Sequence, residues 1–104
     1  MTFIPPKPSV SKILASGTTS GPVSEGPGTG KEWDVEQIIL TNESGGSISQ
    51  RVLINDGADR AIAVVDIADD ATWILGPIYL NDGELFKLSS TTGVQYVLTG
   101  KELG

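Results

Sequence analysis

The chain has 104 residues and a formal net charge of −6, and it contains neither cysteine nor histidine. This length suits one compact domain. The missing residue types exclude a disulfide, a thiolate nucleophile, a Cys/His zinc site and an imidazole base. Lysine and arginine number only seven and are scattered along the chain, whereas phosphate binding needs clustered positive charge. We therefore expect neither nucleic acid nor a membrane surface among the partners.

Residues 1–30 differ in composition from the rest of the chain, because they hold five of the six prolines and five of the thirteen glycines. The prolines at positions 5–8 favour an extended, polyproline-like path. A short edge strand is expected over residues 10–15, and residues 17–30 are rich in turn-forming types throughout. We predict an extended Pro/Gly-rich arm over residues 1–30 and a β-sandwich domain over residues 31–104.

The first strand of the predicted domain changes the side on which its apolar residues lie. Trp33 and Val35 share one face, whereas Ile38 and Leu40 share the other. Because strand side chains alternate strictly, this change indicates a β-bulge near residues 36–37 or burial of both faces.

Short β-rich segments separated by turn signals continue to the end of the chain. The stretch at 60–67 is apolar on both faces, which predicts a central strand. Seven or eight such strands without a helical period predict an all-β fold, an antiparallel β-sandwich that is either jelly-roll-like or immunoglobulin-like. The further strands are expected at 48–54, 72–75, 78–80, 85–89 and 94–99, with hairpin loops at 42–47, 55–59 and 90–93.

Two groups of carboxylates invite an acid–base interpretation, but they fall in predicted turns. Asp56 with Asp59, and Asp69 with Asp70, are turn formers in their own right. We predict no enzymatic activity and no catalytic residue. Residues 55–59 and 81–84 also place oxygen atoms around a glycine, as calcium prefers, but neither has the spacing of an EF-hand. Calcium is therefore an alternative, and the primary prediction contains no metal and no cofactor.

Aromatic side chains provide a further alternative, a platform on which a sugar ring stacks. Trp33, Trp73, Tyr79 and Tyr96 lie at alternating positions within predicted strands. That placement favours packing in the core or in a subunit interface over a glycan site.

Three segments carry a resemblance to a known group of proteins: residues 31–42, 76–88 and 93–103. A glycine and a lysine precede the first core strand, which ends in Asn42. An Asp-Gly-Glu turn precedes the penultimate strand, and a strand containing Tyr96 and Gly100 closes the domain. Over residues 12–104 this succession resembles the small β-sandwich structural proteins of tailed bacteriophages, which occur as capsid cement, head-fibre or tail-associated subunits.

The resemblance implies a non-enzymatic virion protein that is made in the host cytoplasm and binds the outside of the capsid. It implies a trimeric or otherwise multimeric subunit, with a homotrimer expected, that contacts the major capsid protein and stabilises the shell by bridging capsomers. A neck, tail or fibre-base adaptor and a glycan-binding adhesin module are the alternatives. Proline loses little backbone entropy on binding, so the arm is the expected attachment device. The residues expected to contact partners are Phe3, Ile4, Pro5, Pro6, Pro8, Val10, Ile13 and Leu14.

Overall fold

The computed structural model of the chain describes residues 11–104, apart from the side chain of Ser90. These residues form seven antiparallel strands and no helix, which confirms the all-β prediction. The strands are β1 (Lys12–Glu25), β2 (Glu32–Asn42), β3 (Ile48–Asn55), β4 (Asp59–Ile67), β5 (Thr72–Leu75), β6 (Ile78–Leu80) and β7 (Leu85–Leu103).

The 19-residue strand β7 organises the sheet, because three other strands pair with it along its length. Strand β1 pairs with β7 along one side, from Lys12 opposite Gly100 to Glu25 opposite Phe86. On the other side, β3 pairs with the first part of β7 and β2 pairs with the last part. Strands β5 and β6 lie outside β2, and β4 lies outside β3. The result is one antiparallel sheet that is nearly closed into a barrel.

The bulge expected in β2 is confirmed. The pairing of β2 with β7 shifts register between Val35 and Gln37. The extra residue turns both apolar pairs to the same side, so Trp33, Val35, Ile38 and Leu40 are all buried. They join a core whose other buried apolar members are Ala15, Val52, Ile67, Leu80, Phe86, Leu88, Val94, Tyr96 and Leu98.

The hairpin expected around residues 90–93 is wrong, because β7 runs through this segment without a turn. In this segment, polar groups of other strands form hydrogen bonds with β7. The buried Gln50 accepts a hydrogen bond of 2.6 Å from Thr91 and donates one of 3.1 Å to the Ser89 hydroxyl. The buried Thr19 hydroxyl accepts a 3.0 Å hydrogen bond from the backbone N–H of Val94. These contacts satisfy polar groups that would otherwise favour a solvated turn.

Strand β1 is longer than the edge strand expected at residues 10–15, and residues 17–25 are strand rather than turn. Its pairing with β7 shifts register three times, at Leu14, Thr19 and Pro22, and Pro22 lies in the last of these shifts. The division of the chain into an arm and a core domain stays a prediction.

Two expectations about neighbouring strands are also corrected. Residues 42–47 do not close a hairpin, because β2 and β3 pair with different parts of β7 instead of with each other. Strand β4 is not central: within residues 11–104 it pairs only with β3 and ends the sheet. The hairpin at 55–59 and the interruption at Gly76–Pro77 are confirmed.

Candidate partner-binding surface

An aliphatic row crosses three strands on the side of the sheet that faces away from the core. Ile74 of β5 lies opposite Ile39 of β2, and Ile39 lies opposite Val97 of β7. Directly paired residues point to the same face, with Cβ atoms about 5 Å apart. Ile13 of β1 extends the row diagonally, because its partner Thr99 is two residues from Val97. We call Ile13, Ile39, Ile74 and Val97 the outer strip.

The two ends of the outer strip are the parts most open to solvent. Ile13 is 62% exposed and Ile74 is 55% exposed, whereas Ile39 and Val97 between them are half-buried. Scattered single aliphatic residues are ordinary on a protein surface, but a contiguous row across four strands is a typical contact surface. The outer strip is therefore a candidate contact surface.

Uncharged polar residues border the outer strip. On one side, Thr72, Thr41 and Gln95 are successive cross-strand partners, and the Thr41 and Thr72 hydroxyls are 3.0 Å apart. On the other side, Gln37 lies opposite Thr99. An apolar centre with a polar rim is the usual anatomy of a protein–protein interface.

The start of β1 is fixed beside the outer strip by contacts with β2 and β7. The Ser11 hydroxyl donates a hydrogen bond to the Glu36 carboxylate. Lys12 lies 3.7 Å from Glu102, and that carboxylate accepts a 3.0 Å hydrogen bond from the Trp33 indole. The Trp33 hydrogen bond, assisted by nearby lysine charge, lowers the pKa of Glu102. These contacts fix Ser11 and Lys12 to the sheet beside Ile13.

Two of the eight predicted contact residues are placed by the structure. Ile13 is exposed at the end of the outer strip. Leu14 is half-buried and packs against the core, because successive strand side chains point to opposite faces. The other six predicted contact residues, at positions 3–6, 8 and 10, lie outside the described residues.

The sequence interpretation missed Ile39, Ile74 and Val97, although one signal marks all three. Each is the middle residue of three consecutive apolar residues, at 38–40, 73–75 and 96–98. Since strand side chains alternate, the two flanking residues enter the core and the middle one must face outward.

The aromatic residues do not form a sugar platform. Trp33 and Tyr96 are buried in the core, and Trp73 is half-buried against it. Tyr79 alone among the four is exposed, and its hydroxyl donates to the Glu32 carboxylate. The alternative of a glycan site loses the stacked surface on which it depended.

The carboxylates considered for calcium have protein partners instead. Asp56 accepts a 3.0 Å hydrogen bond from Arg60, and Asp59 accepts hydrogen bonds from Asn55 at 2.6 Å and Lys87 at 3.1 Å. The Arg60 contact lowers the pKa of Asp56, and the Asn55 and Lys87 contacts lower that of Asp59. Across residues 11–104 no three acidic side chains converge as metal ligands would.

A second exposed surface lies on the other half of the sheet. Val64 of β4 is 63% exposed, and Ile62 beside it is also exposed. Val64 lies opposite Arg51 of β3. Arg51 also lines an open groove of about 520 Å³ together with Lys87 and Asp59. Its guanidinium has no carboxylate within 4 Å in the described part of the chain.

Comparison with known proteins found no match, so a function can be inferred only from the surfaces described above. No protein-family model matches the chain, and no curated protein matches it. Among residues 11–104 no helix has the length and apolar character needed to cross a membrane.

Proposed function

We propose that this chain is a non-enzymatic structural subunit of a tailed-phage particle, and specifically a capsid cement protein on the outside of the shell. The observation that carries the proposal is the position of Ile13. This residue is 62% exposed, ends the outer strip and directly follows the segment that contains Phe3, Ile4 and Val10. Residues 11–13 of the predicted arm then lie at the end of the outer strip, since the contacts of Ser11 and Lys12 fix the start of β1 there.

A surface of this kind suits attachment to a repeating lattice. The major capsid protein would contact the outer strip and the arm, and many copies on one shell would add avidity to individually modest interfaces. We further propose that the bent sheet is a variant of the sandwich expected from the sequence, with β1 and β7 shared by its two halves. The pairing of β2 and β3 with different parts of β7 supports this description.

The first test is the copy number of the protein in purified phage particles, measured by quantitative mass spectrometry. A copy number that follows the shell lattice supports the cement role. A low number set by the ring symmetry of the neck or tail would replace it with the adaptor role. Absence of the protein from the particle would overturn both.

The second test examines the surface. Ile13→Asp and Ile74→Asp place a charge at the two ends of the outer strip, and each should weaken binding to capsids stripped of the protein. Ala58→Asp is the control, because Ala58 is exposed in the turn between β3 and β4, on the opposite half of the sheet. Capsid binding that survives both strip substitutions would contradict the role of the outer strip.

A further inference from the structure

Strand β4 ends the sheet with one open edge. In the described part of the chain it pairs only with β3, from Ile48 opposite Ile67 to Asn55 opposite Asp59. Alternate backbone N–H and C=O groups along its other edge therefore point away from the sheet. Such an edge is a template for pairing with another strand.

From Ala63 to Ile67 this edge has no lysine, proline, glycine or bulge. Residues 61–65 read Ala-Ile-Ala-Val-Val, with no charge, proline or glycine. The register shift in the β3–β4 pairing falls at Ile62, so residues 63–67 remain regular. Natural proteins protect a free edge with lysine, proline, a bulge or an inward charge. From Ala63 to Ile67 the only charged side chain is Asp66.

We propose that a second copy of this chain pairs with β4 through its own β4, antiparallel, about a two-fold axis at Val65. Val65 then faces the second copy's Val65, and Val64 faces the second copy's Asp66. The two sheets become continuous across the contact. The proposal does not depend on the outer strip or on a phage particle.

Charge complementarity selects this register over its neighbours. Arg51 lies opposite Val64, and Asp66 lies opposite Ser49, all on the outward face. In the proposed register, Arg51, Val64 and the second copy's Asp66 form one row, spanning two strand spacings or about 10 Å. The apolar stem of Arg51 can cover Val64 while its guanidinium reaches the carboxylate. The two-fold axis repeats this ion pair.

A register centred on Val64 lacks this complementarity. It would place two valines between two arginines, with no carboxylate in the row. Asp66 would instead face the bulged Ile62. The absence of a carboxylate partner for Arg51 within residues 11–104 agrees with a partner supplied by the second copy.

Single-cysteine variants test the contact directly, because the chain has no cysteine of its own. Directly opposed residues have Cα atoms about 4.5–5.5 Å apart, within the range of a disulfide. Val65→Cys should therefore form a covalent dimer under mild oxidation. Val64→Cys should crosslink far less, since its two copies would be diagonal neighbours with Cα atoms about 8 Å apart. Ile74→Cys is the control on the outer strip. Equal crosslinking of the three variants, or none at position 65, would overturn the proposal.

Sedimentation of the full chain gives the second test. We expect a dimer that dissociates about ten-fold more readily in Val64→Lys and in Arg51→Asp. Arg51→Asp combined with Asp66→Arg should recover dimerisation, and Ile74→Lys should leave it unchanged. The resemblance implies a homotrimer, whereas this two-fold contact closes at two copies. A monomer, a trimer or a dimer insensitive to Val64→Lys would contradict the β4 contact and leave the particle role untouched.

Discussion

The side-chain amide of Asn42 donates a 2.9 Å hydrogen bond to the backbone carbonyl of Ile67, and so joins the end of β2 to the end of β4. These two strands do not pair through their backbones. The same amide also donates to the carbonyls of Gly46 and Ala68, and its oxygen accepts from Ser44. Asn42 is fully buried, so one side chain holds two connecting loops together.

Replacing Asn42 with alanine should lower the free energy of unfolding by about 2–4 kcal/mol, because several buried polar groups lose their partner. Urea denaturation measures the change. Asn81→Ala is the control, since Asn81 makes exposed contacts within its own turn and should cost less than about 1 kcal/mol. Similar losses in the two variants would contradict the role of Asn42.

Gly100→Ala should destabilise the fold by about 1–3 kcal/mol through overpacking. A Cβ at this position would collide with the backbone carbonyl of Asp34, beside the bulge in β2. Gly46→Ala is the matched control, because a Cβ there meets no atom within 4 Å. Thermal unfolding of both variants measures the difference, and an equal effect would show that β7 does not approach β2 this closely.

Stability should fall as the solution becomes acidic. The folded chain lowers the pKa values of Asp56, Asp59 and Glu102. Below the unfolded pKa values, about 3.9 for Asp and 4.3 for Glu, the unfolded state binds more protons than the folded state. This stabilisation is therefore complete above about pH 5 and is lost as the pH falls through the lowered folded values. Urea midpoints measured from neutral to acidic pH test the direction. Trp33→Phe removes the hydrogen bond to Glu102 and should make the free energy of unfolding less dependent on pH. Stability that increases on acidification would contradict the prediction.

Tyr79 should resist deprotonation in alkaline solution. Its hydrogen bond to Glu32 raises the pKa of its phenol above the usual value near 10. The folded state retains this proton longer than the unfolded state does, so the stabilisation is present below the unfolded pKa and is lost as the pH rises through the folded one. Ultraviolet absorbance of tyrosinate follows the titration. Glu32→Gln removes the charge and should bring the pKa of Tyr79 closer to its ordinary value; an unchanged titration would argue against the contact.

The alternation of side chains made the bulge in β2 predictable, because Trp33 and Val35 must share the core with Ile38 and Leu40. The continuity of β7 was not predictable in this way. Its turn-like segment depends on Gln50 and Thr19, which lie far away along the chain. The position of a strand within the sheet also cannot be predicted from the local pattern of its own residues. Residues 60–67 have apolar side chains on both faces, yet β4 ends the sheet because β3 and not β4 pairs with β7.

The candidate surface was likewise predictable from the sequence only in part. Ile13 follows from the apolar character of the predicted arm, whereas Ile39, Ile74 and Val97 become one row only through the register of three strands. Each of these strands could have matched its neighbour one residue earlier or later. A shift of one residue would have turned the middle side chains inward.

The pairing of β1 with β7 constrains how the chain acquires its structure during synthesis. Residues 12–25 leave the ribosome before their backbone partners at 86–100. Closing so long a loop costs conformational entropy, and this cost is offset only when the contacts of the whole sheet have formed. The β3–β4 hairpin is local and can form first, whereas the pairing of β1 has to wait until residues 86–100 have been synthesised.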